Sequence, residues 1–200
     1  FFTPLIDIIE AYRGDVMKFS GDALTILFEA TDDYALCPCP CGSPEASKKT
    51  AEQLSCLRAA ACCLEIHKRL HNFEADIGDS SVRLALHIGV GFGHTTILKV
   101  GGVRDRFEFV IAGSPMDEIA IAEGLAESGE TVLSPTAWGQ VKDMVIEGSP
   151  LKKNLAFHRL AALDTRLHTY PSVKQAALDC ARIEKEKQPA GFTHSELKDI

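Results

Sequence analysis

The sequence predicts an α+β fold in which helices cover one face of a mostly antiparallel sheet. Three observations lead to this prediction: apolar runs of strand length are separated by turn residues, other segments repeat apolar residues at helical spacing, and 46% of the 200 residues are hydrophobic. The predicted order is helix, hairpin, helix, strands, helix and strand. That order is typical of a sandwich with one helical layer.

The first elements are a short helix and a hairpin. Residues 3–13 open with Thr-Pro, carry apolar side chains at helical spacing and stop at a glycine, so they predict a helix. Apolar residues 16–19 and 23–28 flank a Ser-Gly-Asp turn, which predicts two strands with Asp22 at the tip. Residues 31–49 are rich in Pro, Ser, Cys and Gly and are expected to form a surface loop insertion.

A long helix over residues 50–73 is predicted by apolar spacing and by Thr50 and Gln53, which match a capping box. Glycines 89, 91 and 93 precede no helix start, so they are not a dinucleotide fingerprint. The remaining predicted elements are strands at 82–90, 95–100 and 106–112, a helix capped by Ser114-Pro115, a strand at 131–133, a helix from Ser134-Pro135 through Trp138, and a strand at 155–160.

Composition excludes some classes of function. The net charge of −7 argues against nucleic-acid binding, which depends on an excess of Lys and Arg. No apolar stretch approaches the roughly 20 residues of a membrane span, so none is expected here. Seven cysteines, an odd number, suit reduced thiols in the cytoplasm. We expect one domain over residues 1–148 and a C-terminal extension or linker over 149–200; because the first residue is Phe1, the chain is expected to be a fragment.

Five segments together resemble a known family. They are residues 13–24 (RGDVMKFSGDAL), 61–67 (ACCLEIH), 83–94 (RLALHIGVGFGH), 109–117 (FVIAGSPMD), and 132–135 followed by Trp138. In this order they resemble the catalytic domains of class III nucleotidyl cyclases, particularly the first cyclase domain of bicarbonate-responsive soluble adenylyl cyclases. The resemblance spans roughly residues 3–145 and implies a ferredoxin-like βαββαβ core whose N-terminal strand is missing from this chain.

The resemblance also implies a reaction and a cofactor. Such enzymes convert ATP to cyclic AMP and pyrophosphate with two Mg²⁺ or Mn²⁺ ions, which activate the attacking hydroxyl and neutralise the leaving group. Asp22 matches the family's second metal-binding aspartate and would be catalytic; the first lies on the missing strand. Gly21 and Phe19 would border the substrate phosphates. On its residues alone, Asp22 is better explained as an ordinary turn residue, and the match of the whole hairpin favours the metal ligand.

A second group of residues matches the family's base pocket. Lys18 stands where homodimeric members select adenine, and where first-type domains face a degenerate pocket that binds a regulatory anion. Val110 stands where substrate-selecting domains place a polar group for the purine, and Ile111 lies beside it. The alternative for Lys18 is a strand lysine whose ammonium is solvated.

One helix departs from the family pattern. Asp117 stands at the position of the asparagine that orients ribose, Ile121 at that of the phosphate-binding arginine, and Ala120 at that of an arginine that helps hold bicarbonate. A carboxylate would repel the charge that the arginine stabilises. The chain is therefore expected to need a second cyclase-like domain, in cis or in trans. The alternatives are a catalytically inactive regulatory pseudo-cyclase domain and an interaction module that keeps only the scaffold.

Overall fold

The computed structural model describes residues 1–30, 49–77 and 80–164, and those residues contain four α-helices and ten strands. The helices are α1 (Phe2–Ala11), α2 (Ala51–Leu70), α3 (Ser114–Leu125) and α4 (Pro135–Val141), with a 3₁₀ turn at Lys142–Met144. The strands are β1 (Asp15–Ser20), β2 (Ala23–Leu27), β3 (Phe73–Ile77), β4 (Ser80–Leu84), β5 (Ile88–Val90), β6 (Thr96–Val103), β7 (Arg106–Ala112), β8 (Thr131–Leu133), β9 (Val145–Leu151) and β10 (Asn154–Leu163).

The strands form one larger sheet and three hairpins. The larger sheet has the order β5-β8-β10-β9, in which β5 and β8 are parallel and the other neighbours antiparallel. Antiparallel hairpins pair β1 with β2, β3 with β4, and β6 with β7. Helices combined with mostly antiparallel strands confirm the predicted α+β class. None of the helices in the described part combines the length and the hydropathy that a membrane crossing requires.

Local capping signals explain where two helices begin. The Thr50 side chain accepts a hydrogen bond from the Gln53 backbone while the Gln53 side chain accepts one from the Thr50 backbone, so the predicted capping box starts α2. Ser134 caps α4 by accepting from the Ala137 backbone at 3.2 Å, as predicted. For the other two helices the predicted caps were wrong, since α1 begins after Phe1 and α3 after Gly113, both without a side-chain cap.

The predicted end of the long helix was also wrong. Helix α2 stops at Leu70, Asn72 takes a positive φ of 59°, and the chain then enters β3, a strand that the sequence did not predict. The strand predicted over 82–90 is interrupted: β4 pairs with β3, and β5 belongs to the larger sheet. The predicted strands at 106–112, 131–133 and 155–160 lie within β7, β8 and β10, and β9 was missed.

The core lies between the helices and the larger sheet. Helix α2 packs against α1 and α4, and its buried face consists mostly of small residues and thiols. This face allows close approach of the neighbouring helices because Ala and Cys side chains are short. The largest fully buried side chains in the described residues include Ile8 and Ile9 of α1, Val132 and Leu133 of β8, and Met144.

Glycines on β5 and just after it set the distance to α3. A Cβ at Gly89 would lie 2.5 Å from the Glu123 backbone nitrogen, and one at Gly91 would lie 2.8 Å from the Pro115 carbonyl oxygen. The two glycines are two residues apart and so face the same side of an extended chain. Their role in this structure is close packing of α3, which agrees with the absence of a dinucleotide fingerprint.

All described residues belong to one structural unit. Two parts of the predictions lie outside the described residues: residues 31–48 of the cysteine-rich loop, and residues 165–200 of the predicted extension. The sheet continues to Leu163 through the pairing of β10 with β8 and β9. The domain boundary at residue 148 stays a prediction.

Candidate active site

The hairpin of β1 and β2 carries the main predicted site residues. Its register pairs Ser20 with Ala23 across a two-residue turn, Gly21-Asp22. Gly21 has a φ of 66°, in the left-handed region that favours glycine, and apart from its two chain neighbours no atom of the described residues lies within 4 Å of where its Cβ would be. Asp22 is exposed, and within the described residues it makes no hydrogen bond or ion pair. The turn therefore presents a free carboxylate beside open space.

Phe19 lies on the same hairpin and is half exposed. It pairs with Leu24 across the strands, and its ring makes an edge contact with Phe2 of α1 at a centroid distance of 5.8 Å. Phe1 contacts both Phe2 and Phe73 at 5.6 Å. These rings attach the hairpin to α1 and β3, so the position of Gly21 and Asp22 is fixed by aromatic packing.

The residues predicted for the base pocket lie in two different hairpins. Lys18 is exposed on β1, opposite Thr25 and beside a bulge after Val16. Val110 and Ile111 lie on β7, opposite Leu98 and Ile97 of β6, in a separate two-stranded sheet. The described residues therefore do not join Lys18 and Val110 in one sheet.

A metal ion would find few ligands in the described part of the chain. No group of three or more His, Cys, Asp or Glu side chains there could hold a metal ion. Asp22 is nevertheless a suitable oxygen donor, because its carboxylate is exposed and unpaired. Mg²⁺ is commonly bound by one or two carboxylates together with substrate phosphates and water. Asp22 fits such an ion as a single ligand, and the remaining ligands must come from outside these residues.

Helix α3 has the composition that the sequence indicated. Asp117 lies exposed in its first turn, Ala120 is exposed, and Ile121 is 48% exposed. The helix contains neither Arg nor Asn nor Lys over its whole length. Its surface therefore offers a phosphate group no cation.

One contact between two side chains was not predicted from the sequence. His87 Nε2 lies 2.7 Å from Glu123 Oε1. The two residues are 36 positions apart, and only the packing of α3 on β5 brings them together. Both side chains are about half exposed, which makes this pair a surface contact between the two elements.

A cavity of about 450 Å³ lies elsewhere on the molecule. It is formed by the loop after α3 and by β9 and β10, and its charged lining residues are Glu127, Glu130, Lys152, Lys153 and Arg159. Two ion pairs cross it: Lys153 with Glu127 at 3.4 Å and Arg159 with Glu130 at 3.2 Å. It includes none of the predicted site residues.

Comparisons with known proteins agree with the fold. No protein-family model matches the chain. It is 26% identical over 147 residues to mouse adenylate cyclase type 10, covering 74% of this chain but 8% of the relative, and 24% identical over 145 residues to the human protein of that name. The chain thus spans less than a tenth of the length of these relatives.

Solved structures extend the agreement to three dimensions. The guanylate cyclase domain of RhGC from Catenaria anguillulae, in complex with GTP, is 15% identical and superposes with a TM-score of 0.56 over 81% of this chain and 80% of that one. The adenylyl cyclase CyaB from P. aeruginosa is 16% identical, with a TM-score of 0.52 over 80% and 78%. The predicted resemblance is therefore confirmed: the chain has the fold of a class III nucleotidyl cyclase catalytic domain.

Proposed function

We propose that this chain is one catalytic half of an adenylyl cyclase, acting in the cytoplasm together with a second cyclase-like domain. The observation that supports the proposal most directly is the β1–β2 turn, where an unpaired Asp22 carboxylate stands beside the open backbone of Gly21. The sequence similarity to adenylate cyclase type 10 supports the choice of ATP as substrate.

The reaction is an intramolecular phosphoryl transfer. The ribose 3′-oxygen forms a bond to the α-phosphorus of ATP, the bond from that phosphorus to the bridging oxygen breaks, and the 3′-hydroxyl proton is lost as pyrophosphate leaves. Bound Mg²⁺ or Mn²⁺ would make the 3′-hydroxyl more acidic and offset charge on the pyrophosphate.

Each predicted site residue has a defined part in this proposal. Asp22 holds the ion, and the absence of a side chain at Gly21 leaves room for the phosphates. Phe19 borders the same space through its exposed ring. Lys18, with Val110 and Ile111, lines the pocket for adenine or for a regulatory anion, once a partner domain completes it.

The partner must supply the positive charge. Helix α3 carries Asp117, Glu118 and Glu123 and no basic residue, so it would repel a polyphosphate. A lysine, an asparagine and an arginine from the second domain would orient the ribose and stabilise the transferring phosphoryl group. This division of labour explains why one half can keep a metal ligand and lack the other groups.

The test is cyclic AMP formation by the full natural polypeptide that contains this chain. With ATP and Mn²⁺, we expect Asp22→Asn to lower kcat on the order of 100-fold or more, because the amide is a poor ligand for the ion. Asp143→Asn is the matched control, since Asp143 is an exposed acid on the 3₁₀ turn after α4. Equal activity of Asp22→Asn and the parent would refute the metal role.

The acidic surface of α3 also favours a second candidate, a regulatory pseudo-cyclase domain that pairs with an active one. In that case Asp22→Asn leaves turnover of the full polypeptide unchanged. The two candidates are separated further by Mn²⁺ binding in the presence of ATP, measured by electron paramagnetic resonance. The catalytic half loses a bound ion in the variant, whereas the regulatory half shows no difference.

A further inference from the structure

Arg58 of α2 bridges the two ends of the β1–β2 hairpin. Its Nη2 donates a hydrogen bond to the Glu29 carbonyl oxygen at 2.7 Å, and its Nη1 donates one to the Arg13 carbonyl oxygen at 3.4 Å. The last pair in the hairpin register is Asp15 with Leu27. Arg13 and Glu29 each lie two residues beyond that pair, so one guanidinium spans the two chain segments just outside the ladder.

The base of the hairpin is tightly packed. The Gly14 backbone nitrogen donates to the Ile9 carbonyl oxygen of α1 at 2.9 Å. A Cβ at Gly14 would lie 2.7 Å from the Phe28 ring and 3.0 Å from the Ile9 side chain. Arg58 follows Leu57, which is only 3% exposed on the buried face of α2. The Arg58 side chain therefore reaches the hairpin base from a helix that is fixed in the core.

The rest of the hairpin is less firmly held. Strands β1 and β2 form a two-stranded sheet of their own, and among the described residues neither strand contains a fully buried side chain. A two-stranded hairpin is marginally stable by itself. Near the tip it is attached through the edge contact of the Phe19 and Phe2 rings, which are both about half exposed. The direction of the hairpin therefore depends on its base as well as on this aromatic contact.

A small tilt at the base becomes a large displacement at the tip. The six residues of β1, at about 3.3 Å each, place the Asp22 carboxylate roughly 20 Å from the base. Over that length a tilt of about 3° moves the tip by about 1 Å. Misplacing a reacting group by about 1 Å can lower a rate by about 100-fold. A contact at the base can therefore control the chemistry at the turn.

We propose that Arg58 is a positioning residue for the ion site at Asp22, an inference that rests on the proposed function. Arg58 holds both ends of the hairpin, and so it sets the direction of the two strands and the place of the carboxylate at their turn. A guanidinium suits this role because its donors form a rigid planar fork, which keeps two carbonyl groups at a fixed separation. A lysine offers one point of attachment on a flexible stem.

The test uses the full natural polypeptide with ATP and Mn²⁺. Arg58→Met removes both hydrogen bonds, so kcat should fall on the order of 10-fold or more, and half-maximal activity should need more Mn²⁺. Arg58→Lys can keep one of the two bonds and should give an intermediate kcat. If Arg58→Met lost the circular dichroism spectrum of the folded parent, Arg58→Lys would replace it in every comparison. The matched control is Arg69→Met on the same helix, where the arginine pairs with Glu65; its kcat should equal that of the parent.

A double variant separates positioning from general damage. When Asp22→Asn has already removed the carboxylate, adding Arg58→Met should lower kcat by less than about twofold, because an effect that acts through Asp22 is then lost. A further loss of about 10-fold in the double variant would overturn the positioning role. A single variant Arg58→Met as active as the parent would overturn it as well.

Amide hydrogen exchange reports on the hairpin without relying on activity. In the full polypeptide, amides of β1 and β2 should exchange about 10-fold faster in Arg58→Met, as read by mass spectrometry, and at the parent rate in Arg69→Met. Unchanged exchange in Arg58→Met overturns the bridge between the hairpin ends. If Asp22→Asn is inactive while Arg58→Met is fully active, only the positioning role is refuted. If Asp22→Asn is as active as the parent, the proposed function fails and the positioning role fails with it.

Discussion

Helix α3 packs so closely against β5 that one methyl group added at Gly89 should push the two elements apart. Gly124, within α3, serves as the control position. In Gly89→Ala the new Cβ would lie 2.5 Å from the Glu123 nitrogen and 2.7 Å from the Ile119 carbonyl oxygen. Both are backbone atoms, so no side-chain rotation relieves the contact, and α3 must move by about 1 Å to reach ordinary van der Waals distance. Overpacking of this kind costs about 3 kcal/mol at its upper end.

The expected net loss is smaller than the overpacking cost. Replacing glycine reduces the conformational entropy of the unfolded chain, which returns up to about 1 kcal/mol. We therefore expect Gly89→Ala to lower the free energy of unfolding by about 2 kcal/mol. Gly124→Ala, within α3 itself, should raise it by about 0.5 to 1 kcal/mol, because beyond α3's own backbone no described atom lies within 4 Å of that Cβ position and alanine favours a helix.

The assay is urea denaturation at 25 °C, followed by circular dichroism. The diagnostic result is that the two alanine substitutions change the free energy of unfolding in opposite directions, although each adds one methyl group and removes one glycine. If Gly89→Ala proved as stable as the parent or more so, the close contact between β5 and α3 would be refuted.

Two other predictions concern titratable groups that are partly or fully buried. Partial burial lowers the pKa of His67, and this effect is reinforced by nearby His71 and opposed by a hydrogen bond with the Glu130 backbone. The unfolded chain therefore binds a proton at His67 more readily than the folded chain does, so the free energy of unfolding should fall as the pH drops below about 6.5. The urea midpoint should decrease from pH 7.5 to 5.5, and His67→Leu should make this decrease smaller. Burial also raises the pKa of the Cys56 and Cys63 thiols to about 12 and that of Cys62 further. At pH 8 these three cysteines should therefore resist alkylation by iodoacetamide in the folded protein and become alkylated in urea, as measured by mass spectrometry. Alkylation of the folded protein would contradict their burial.

Sequence signals predicted the fold well where they are local. The capping box at Thr50 and the Ser134 cap depend on residues three positions apart, and the Gly21-Asp22 turn separates two apolar runs directly. Strand β3 was missed because its Phe-Glu-Ala-Asp-Ile run follows α2 closely and was partly absorbed into the predicted helix. Its identity as a strand depends on pairing with β4, which helical spacing does not reveal.

The candidate site was predictable in a more limited way. Asp22 was found from a turn pattern and a resemblance, and the structure places it at the expected hairpin tip. The His87–Glu123 pair could not be found, because its members are joined only by tertiary packing. The close packing of α3 on Gly89 and Gly91 could not be predicted either, since a strand glycine alone does not identify the element that approaches it.

Ion pairing distinguishes Asp22 from three glutamates of the described residues. Glu127 and Glu130 form ion pairs with Lys153 and Arg159, and Glu123 contacts His87, whereas Asp22 has no ion pair within the described residues. An ion can bind such a group without first displacing a cation, which lowers the cost of binding. The same reasoning limits the isolated chain: because α3 is acidic and Asp22 is negative, ATP without a metal ion would be repelled. Under the proposed function, nucleotide affinity should therefore depend first on the divalent ion and second on cations of a partner domain.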